Sequence, residues 1–167
     1  MRGRALFVVM AIAVAVVVAI AGVLALDADG SAEPPAGTIA VDVSALRLGD
    51  VMPVDVTLPG AKHEQARVFM VRSDDTHAQA LLGVSTHLGC RLLWRGDSRF
   101  GVGVAANDQV EYEDPCGGSL YSTEGECIGG PCPRGLDRYP VTLDKGIAEI
   151  HLTQLQKGPA RYASSAR

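Results

Sequence analysis

Ser85-Thr86-His87-Leu88-Gly89-Cys90 and Asp114-Pro115-Cys116-Gly117-Gly118-Ser119 are the two most distinctive segments of the sequence. Short apolar stretches flank both segments, and these stretches are rich in β-prone residues. Glycine, proline, aspartate and asparagine separate the stretches from one another. No segment after residue 30 has a sustained helical period. The sequence therefore predicts an all-β sandwich or barrel.

The expected strands are short and follow one another closely. They lie at 39–43, 54–58, 67–71, 81–84, 92–94, 102–105, 110–112, 139–143 and 147–152. The last two flank Asp144-Lys145-Gly146, which is typical of a compact hairpin connection.

The two segments resemble the cluster-binding boxes of Rieske iron–sulfur proteins, Cys-x-His-x-Gly-Cys and Cys-x-Cys-His-Gly-Ser. We call residues 85–90 the first box and residues 114–119 the second box. A third element agrees, because Gly130-Pro131-Cys132-Pro133-Arg134 looks like the glycine–proline loop that covers the cluster in that family. The resemblance spans roughly residues 39–152. It implies a Rieske-like antiparallel β-sandwich or barrel.

The resemblance also implies four cluster-ligand positions, which are Ser85, His87, Asp114 and Gly117. A Rieske centre is a [2Fe–2S] cluster in which two cysteines bind one iron and two histidines bind the other. Only His87 has the expected side chain. Ser85 and Asp114 offer hard oxygen where soft thiolate is preferred, and Gly117 has no side chain. We therefore expect these positions to be non-functional and the protein to lack a cofactor, with a [2Fe–2S] cluster as the alternative.

Four cysteines allow three disulfide pairings. In the Rieske family, a disulfide between the remaining cysteines of the two boxes ties the boxes together, which implies a Cys90–Cys116 pair here. Cys127 and Cys132 are then left, and they bracket the flexible segment 128–131. They are expected to form a second disulfide, and the alternatives are a reactive thiol pair or metal ligands.

Polar side chains near the boxes suggest two further interpretations. A mononuclear metal bound by His87, Cys132 and Asp114 is conceivable from their side-chain chemistry. The carboxylates of Glu111, Glu113 and Asp114 are expected to form a solvated acidic loop, not a pair of catalytic acids and bases.

Residues 5–26 form an uncharged run of apolar and small residues. As a helix this run would be roughly 33 Å long, enough to cross a hydrocarbon core of about 30 Å. A cleaved signal peptide is the alternative, but its apolar region is usually only about 7–15 residues long. Arg2 and Arg4 precede the run, and Asp27 and Asp29 follow it. The positive-inside rule then predicts a single-pass cell-membrane protein with a cytoplasmic N-terminus and an extracytoplasmic domain.

The expected organisation follows from these segments. It comprises a cytoplasmic N-terminus at 1–4, a transmembrane anchor at 5–26, a flexible tether at 27–38, a Rieske-like domain at 39–156 and a disordered tail at 157–167. A formal net charge of −4 without a basic stripe argues against a nucleic-acid partner. Outside the membrane the compartment is oxidising, which favours disulfides over free thiols.

Three functional hypotheses remain. The first is an accessory or structural subunit of a membrane respiratory complex, which has a Rieske fold without a functional cluster and is not itself catalytic. The second is the usual family function, electron transfer from quinol in a bc-type complex, with partners such as a cytochrome b-like protein. The third is an extracytoplasmic thiol–disulfide protein that uses Cys127 and Cys132.

Overall fold

The computed structural model describes residues 35–60, 64–101 and 109–161. The predicted membrane anchor at 5–26 and the expected strand at 102–105 lie outside these residues, so both stay predictions. Within the described ranges, no helix is long and apolar enough to cross a membrane. The compact unit that contains the described residues begins at Pro34.

The described residues form an all-β structure, as the sequence predicts, and the strands pair antiparallel throughout. The strands are β1 (Thr38–Asp42), β2 (Val51–Thr57), β3 (Gln65–Arg72), β4 (Ala78–Leu82), β5 (Leu93–Trp94), β6 (Tyr112–Glu113), β7 (Leu120–Tyr121), β8 (Cys127–Gly129), β9 (Arg138–Tyr139), β10 (Val141–Asp144) and β11 (Ile147–His151). They form three sheets, with the strand orders β1-β11-β10, β2-β3-β4-β9 and β5-β6-β7-β8.

Strand β3 explains why the middle sheet, β2-β3-β4-β9, takes part in two hydrophobic cores. Successive side chains of a strand point to opposite faces of its sheet. Val68 and Met70 enter one core together with Ile150 of β11. Phe69 and Val71 point the other way and enter a second core. The continuous apolar run in β3 is therefore that of a strand buried on both faces.

The second core lies between the middle sheet and the β5-β6-β7-β8 sheet. Its fully buried members include Phe69 and Leu81 from the middle sheet and Tyr112 and Tyr121 from the third sheet. The rings of Phe69 and Tyr112 lie 4.6 Å apart between centroids, at a tilt. This core fixes the sheet from which the second box emerges.

Pro140 divides a segment that the sequence predicts as one strand at 139–143. β9 ends at Tyr139 and pairs with β4, whereas β10 begins at Val141 and pairs with β11. Because proline has no N–H to donate, it interrupts the hydrogen-bond ladder at this position. The chain passes here from the middle sheet to the β1-β11-β10 sheet, so the prediction of one continuous strand is wrong.

Strands β7 and β8 are absent from the sequence-based prediction. Each has only two or three residues, and β8 includes Gly129 and the exposed Ile128. Segments this short carry no measurable alternation of apolar and polar residues. The other described strands lie within a few residues of their expected positions.

The predicted hairpin connection between β10 and β11 is present as a two-residue turn. Lys145 and Gly146 both have positive φ, 46° and 84°, as a type I′ turn requires. A Cβ on Gly146 would lie 2.8 Å from the Cβ of Ser44, so glycine is needed there for space as well as for conformation. Lys145 is the only non-glycine residue with positive φ among the described residues.

Replacement of Lys145 by asparagine should stabilise the domain. Asparagine tolerates the left-handed region better than lysine, and we expect a gain of about 0.5–1 kcal/mol in the free energy of unfolding. Urea unfolding of a fragment that begins at residue 34 measures this change at constant m-value. Gly146→Ala is the matched control and should destabilise the domain. A Lys145→Asn midpoint at or below that of the parent would contradict the strain argument.

Candidate functional site

The first box, residues 85–90, forms a tight loop after β4. The Ser85 N–H donates to the Cys90 carbonyl at 2.8 Å, and the Gly89 N–H donates to the Ser85 carbonyl at 3.1 Å. Gly89 has a φ of 73°, which closes the loop in a conformation that favours glycine. The loop leaves His87 and Leu88 exposed and Ser85 buried.

The second box, residues 114–119, connects β6 to β7. The Asp114 N–H donates to the Ser119 carbonyl at 2.8 Å, and the Gly118 N–H donates to the Asp114 carbonyl at 2.9 Å. Gly118 has a φ of 71° and allows the chain to reverse. The loop is therefore the tip of a hairpin that rests on the second core.

A disulfide between Cys90 and Cys116 joins the two boxes. The structure thus contains the pair that the family resemblance implies. The Cα atoms of these cysteines are 6.3 Å apart, within the usual range for a disulfide. Cys116 is exposed, so this covalent link lies at the outer rim of the paired loops.

Asp114 links the boxes a second time, from the inside. Its carboxylate is buried, with 1% of the residue exposed. Oδ2 accepts a hydrogen bond from the Ser85 hydroxyl at 2.7 Å, and Oδ1 accepts from the N–H groups of Cys116 and Gly117 at 2.9 and 3.1 Å. The side chains at two of the four expected ligand positions are therefore hydrogen-bonded directly to each other.

The expectation of a solvated acidic loop is wrong for Glu113 and Asp114. Glu113 is 6% exposed, and its Oε2 accepts from the Gly101 N–H at 3.0 Å. Glu111 is half-buried and accepts the indole N–H of Trp94 at 2.7 Å. Each carboxylate has specific donors, which is the condition for burying it. Sequence reasoning missed this because the donors to Glu111 and Glu113, and the Ser85 hydroxyl that donates to Asp114, come from other segments of the chain.

Tyr121 and Thr86 complete the polar network, and sequence reasoning did not assign them this role. The Tyr121 hydroxyl accepts from the Thr86 N–H at 3.1 Å and lies 3.4 Å from the Ser85 hydroxyl. The Thr86 hydroxyl donates to the Arg134 carbonyl at 2.8 Å, which ties the first box to the glycine–proline loop. A tyrosine shortly after the second box is the available signal, since a buried tyrosine hydroxyl needs a partner.

Gly117 and His87 share one small space. A Cβ on Gly117 would lie 2.6 Å from His87 Nδ1 and 3.0 Å from Asp114 Oδ2. The φ of Gly117 is outside the left-handed region, so residues other than glycine can adopt its backbone conformation. The imidazole of His87 thus stands where a side chain at position 117 would begin.

The glycine–proline loop is held by the second expected disulfide, Cys127–Cys132. Cys132 is buried with 2% exposed, and no described cysteine is a free thiol. A metal bound through Cys132, with His87 and Asp114, is therefore not supported by the geometry. Donor atoms of Cys90, Asp114 and Cys116 do cluster within 4.8 Å, but the two sulfurs are bonded to each other.

The chain continues past the expected end of the domain at residue 156 with specific contacts. The Gly158 N–H donates to Asp137 Oδ1 at 2.9 Å, and the Gly135 N–H donates to the Pro159 carbonyl at 2.8 Å. Arg161 donates to the Gly130 carbonyl at 2.6 Å. Residues 157–161, expected in a disordered tail, therefore pack against the segment around the glycine–proline loop.

The donor set does not fit a [2Fe–2S] cluster, which needs two thiolates and two imidazoles. The Ser85 hydroxyl donates a hydrogen bond to Asp114, and both oxygens of that carboxylate already accept hydrogen bonds. Gly117 has no donor atom, so only His87 remains as an expected ligand. One observation favours a bound cluster. Ser119 Oγ is buried and has no hydrogen-bond partner among the described residues.

Removing the Asp114 carboxylate should destabilise the domain strongly. Asp114→Ala leaves two N–H groups and a buried hydroxyl without an acceptor, and we expect a loss of about 3 kcal/mol or more. Ser85→Ala removes one of these bonds and should cost about 1–2 kcal/mol. Chemical unfolding with the disulfides intact measures both losses.

Asp55→Ala is the control for the Asp114 prediction. Its carboxylate is 72% exposed and pairs with Arg67 at the surface, so the change should stay within about 1 kcal/mol. Equal losses for the Asp114 and Asp55 variants would contradict the role assigned to the buried carboxylate.

Comparison with known proteins gives a consistent set of relatives. No family model matches the chain. The chain is 31% identical over 117 residues to cytochrome b6-f complex iron-sulfur subunit 1 of Synechocystis sp. (strain ATCC 27184 / PCC 6803 / Kazusa), covering 64% of this chain and 57% of that protein. It is 34% identical over 64 residues to the cytochrome b6-f complex iron-sulfur subunit of Synechococcus sp. (strain JA-3-3Ab), covering 38% of this chain and 31% of that protein.

A solved structure described as a hyperthermophilic respiratory Complex III is also similar. It is 28% identical, with a TM-score of 0.44, and the match covers 83% of this chain and 98% of that chain. The chain spans less than two thirds of the length of the curated relatives given above. The two boxes, the disulfide that joins them and the similarity to iron–sulfur subunits agree, and together they support a Rieske-family domain.

Proposed function

We propose that this protein is an accessory or structural subunit of a bc-type membrane complex, with a Rieske fold that carries no [2Fe–2S] cluster. The observation that carries the proposal is the 2.7 Å hydrogen bond from the Ser85 hydroxyl to Asp114 Oδ2. These are the two positions at which the family resemblance implies cysteine ligands. Here they bind each other, so the loops are held without a metal centre.

Protein groups supply the cross-link that a cluster would otherwise give. In the chain-entropy model, the Cys90–Cys116 disulfide, with a sequence separation of 26, stabilises the fold by roughly 3.5 kcal/mol. The buried carboxylate of Asp114 adds three hydrogen bonds between and within the boxes. The loops can therefore keep one conformation without cofactor binding, which suits a subunit that acts through its surface.

The names of the relatives support a place in a membrane complex. The two curated relatives described above are iron-sulfur subunits of cytochrome b6-f complexes. An integral-membrane partner such as a cytochrome b-like protein is therefore part of the proposal. The anchor at 5–26 and the extracytoplasmic position of the domain belong to it as well. Two disulfides and the lack of free thiols among the described cysteines suit an oxidising compartment.

The second candidate is electron transfer through a cluster, the usual function in the family. The names of the relatives and the unpartnered hydroxyl of Ser119 favour it. The side chains at positions 85, 114 and 117 oppose it. No comparable observation favours a thiol–disulfide role, because Cys132 is shielded from solvent.

The purified full chain should be colourless and hold far less than the two iron atoms per chain of a [2Fe–2S] cluster. The triple variant Ser85→Cys, Asp114→Cys and Gly117→His, reconstituted with iron and sulfide, should show a Rieske-type EPR signal after reduction. The backbone at position 117 admits histidine, and the exposed ring of His87 has room to turn aside. Absorption spectra, EPR spectra and iron analysis compare the native chain with the reconstituted triple variant.

The same triple variant with His87→Ala is the matched control and should give no such signal. A reduced-state Rieske signal in the native chain, with iron near two per chain, would sink the cluster-free proposal. A triple variant that folds but binds no cluster would show that the boxes have diverged in backbone as well as in ligands.

The proposed topology has a separate test. Tags placed after residue 26 should be labelled by an impermeant reagent on intact cells, whereas a tag at the N-terminus should be labelled only after lysis. Lysed cells provide the control for reactivity. A mature protein whose N-terminus lies near residues 26–29 would show a cleaved signal and would refute the anchor.

A further inference from the structure

A cleft of about 420 Å³ lies beside the two boxes. Its lining includes Arg67, Arg91 and Arg99, which come from three separate segments of the chain. Leu92 and Pro115 add apolar surface. The size falls in the range of small-molecule sites. None of these residues is one of the four cluster-ligand positions, so the cleft is distinct from those positions, although Pro115 belongs to the second box.

The charge of two of these arginines is not neutralised. Arg91 donates to the neutral carbonyl of Gln65 at 2.6 Å, which positions the guanidinium without pairing its charge. Among the residues that the structure describes, no carboxylate lies within ion-pair distance of Arg91 or Arg99. A protein with a formal net charge of −4 thus concentrates positive charge in this cleft.

The acidic groups near the cleft are already engaged. Asp97 is the one carboxylate in the lining. Its Oδ2 accepts from the Trp94 N–H at 2.9 Å, and its Oδ1 lies 3.5 Å from Arg67 Nη1. Asp55 pairs with Arg67 at 3.0 Å from the solvent side. Arg67 is therefore shared between two carboxylates, and the free positive charge belongs to Arg91 and Arg99.

We propose that this cleft binds a phosphate group. Guanidinium groups recognise oxyanions through paired N–H donors. Three arginines from different segments suit a tetrahedral anion, which presents oxygens in several directions, better than a planar carboxylate. The shared chemistry is a phosphate oxyanion, and its source is either free phosphate or the phosphodiester headgroup of an anionic lipid.

The position of the cleft gives the bound anion a role at the boxes. Arg91 directly follows Cys90, and Pro115 directly precedes Cys116. One chain neighbour of each cysteine in the inter-box disulfide thus lines the cleft. An anion held here would contact the residue that follows the first box and a residue of the second box, and would restrain the two segments together. The inference does not depend on whether a cluster binds, because its residues and its probe differ from those of the proposed function.

Isothermal titration of the full chain in neutral detergent, at low ionic strength, tests the site with two probes. Inorganic phosphate represents the free ion, and glycerophosphoglycerol represents the lipid headgroup. At least one probe should bind saturably at one per chain. Tighter binding of inorganic phosphate assigns the site to the free ion, and tighter binding of glycerophosphoglycerol assigns it to a lipid.

Arginine variants distinguish binding in this cleft from non-specific attraction of anions to positive charge elsewhere on the protein. Arg99→Gln should weaken binding roughly tenfold or more, and Arg91→Gln with Arg99→Gln should abolish it. Arg47→Gln, which alters an exposed arginine paired with Asp50 outside the cleft, should leave affinity unchanged. The proposal is overturned if neither probe binds saturably, or if the Arg47 variant loses as much affinity as the Arg99 variant.

Discussion

The hydrogen bond between the Ser85 hydroxyl and the buried carboxylate of Asp114 is the contact on which the candidate site depends. A carboxylate with 1% exposure has lost its hydration, so it must obtain its hydrogen bonds from the protein. It does so from one side chain of the first box and two backbone N–H groups of the second. Any separation of the boxes therefore removes the Ser85 hydroxyl, the one donor that reaches this carboxylate from the first box.

The disulfide and the buried carboxylate stabilise the paired boxes in different ways. The Cys90–Cys116 bond acts chiefly on the unfolded chain, whose conformational freedom it reduces. Asp114 acts on the folded state, because its acceptors fix the orientation of the loop backbone at Cys116 and Gly117. The Tyr121 hydroxyl extends this network to Thr86. Tyr121 is buried in the second core, so the packing of that core holds its hydroxyl, and with it the network, in place.

Sequence reasoning recovered the features that are local or that a family pattern encodes. The β10–β11 turn follows from Lys145-Gly146 alone, and the pairing of Cys90 with Cys116 follows from the register of the boxes. The break at Pro140 could have been read from the missing N–H, but the apolar residues on both sides concealed it. The burial of Glu113 and Asp114 could not be read, because their environment is set by side chains and sheets distant in sequence.

The two halves of the site differ in how far their residues depend on one another. On the side of positions 85 and 114, serine and aspartate satisfy each other, so a cysteine at only one of them would leave the other without its partner. A thiol is a weak donor and too large for a 2.7 Å contact, so Ser85→Cys alone leaves Asp114 Oδ2 without its hydroxyl donor. On the side of His87 and Gly117 no such lock exists, since the ring is exposed and the backbone is unstrained. The serine–aspartate pair can thus be exchanged only as a unit, whereas position 117 can be changed without breaking a hydrogen bond made by a side chain of its own.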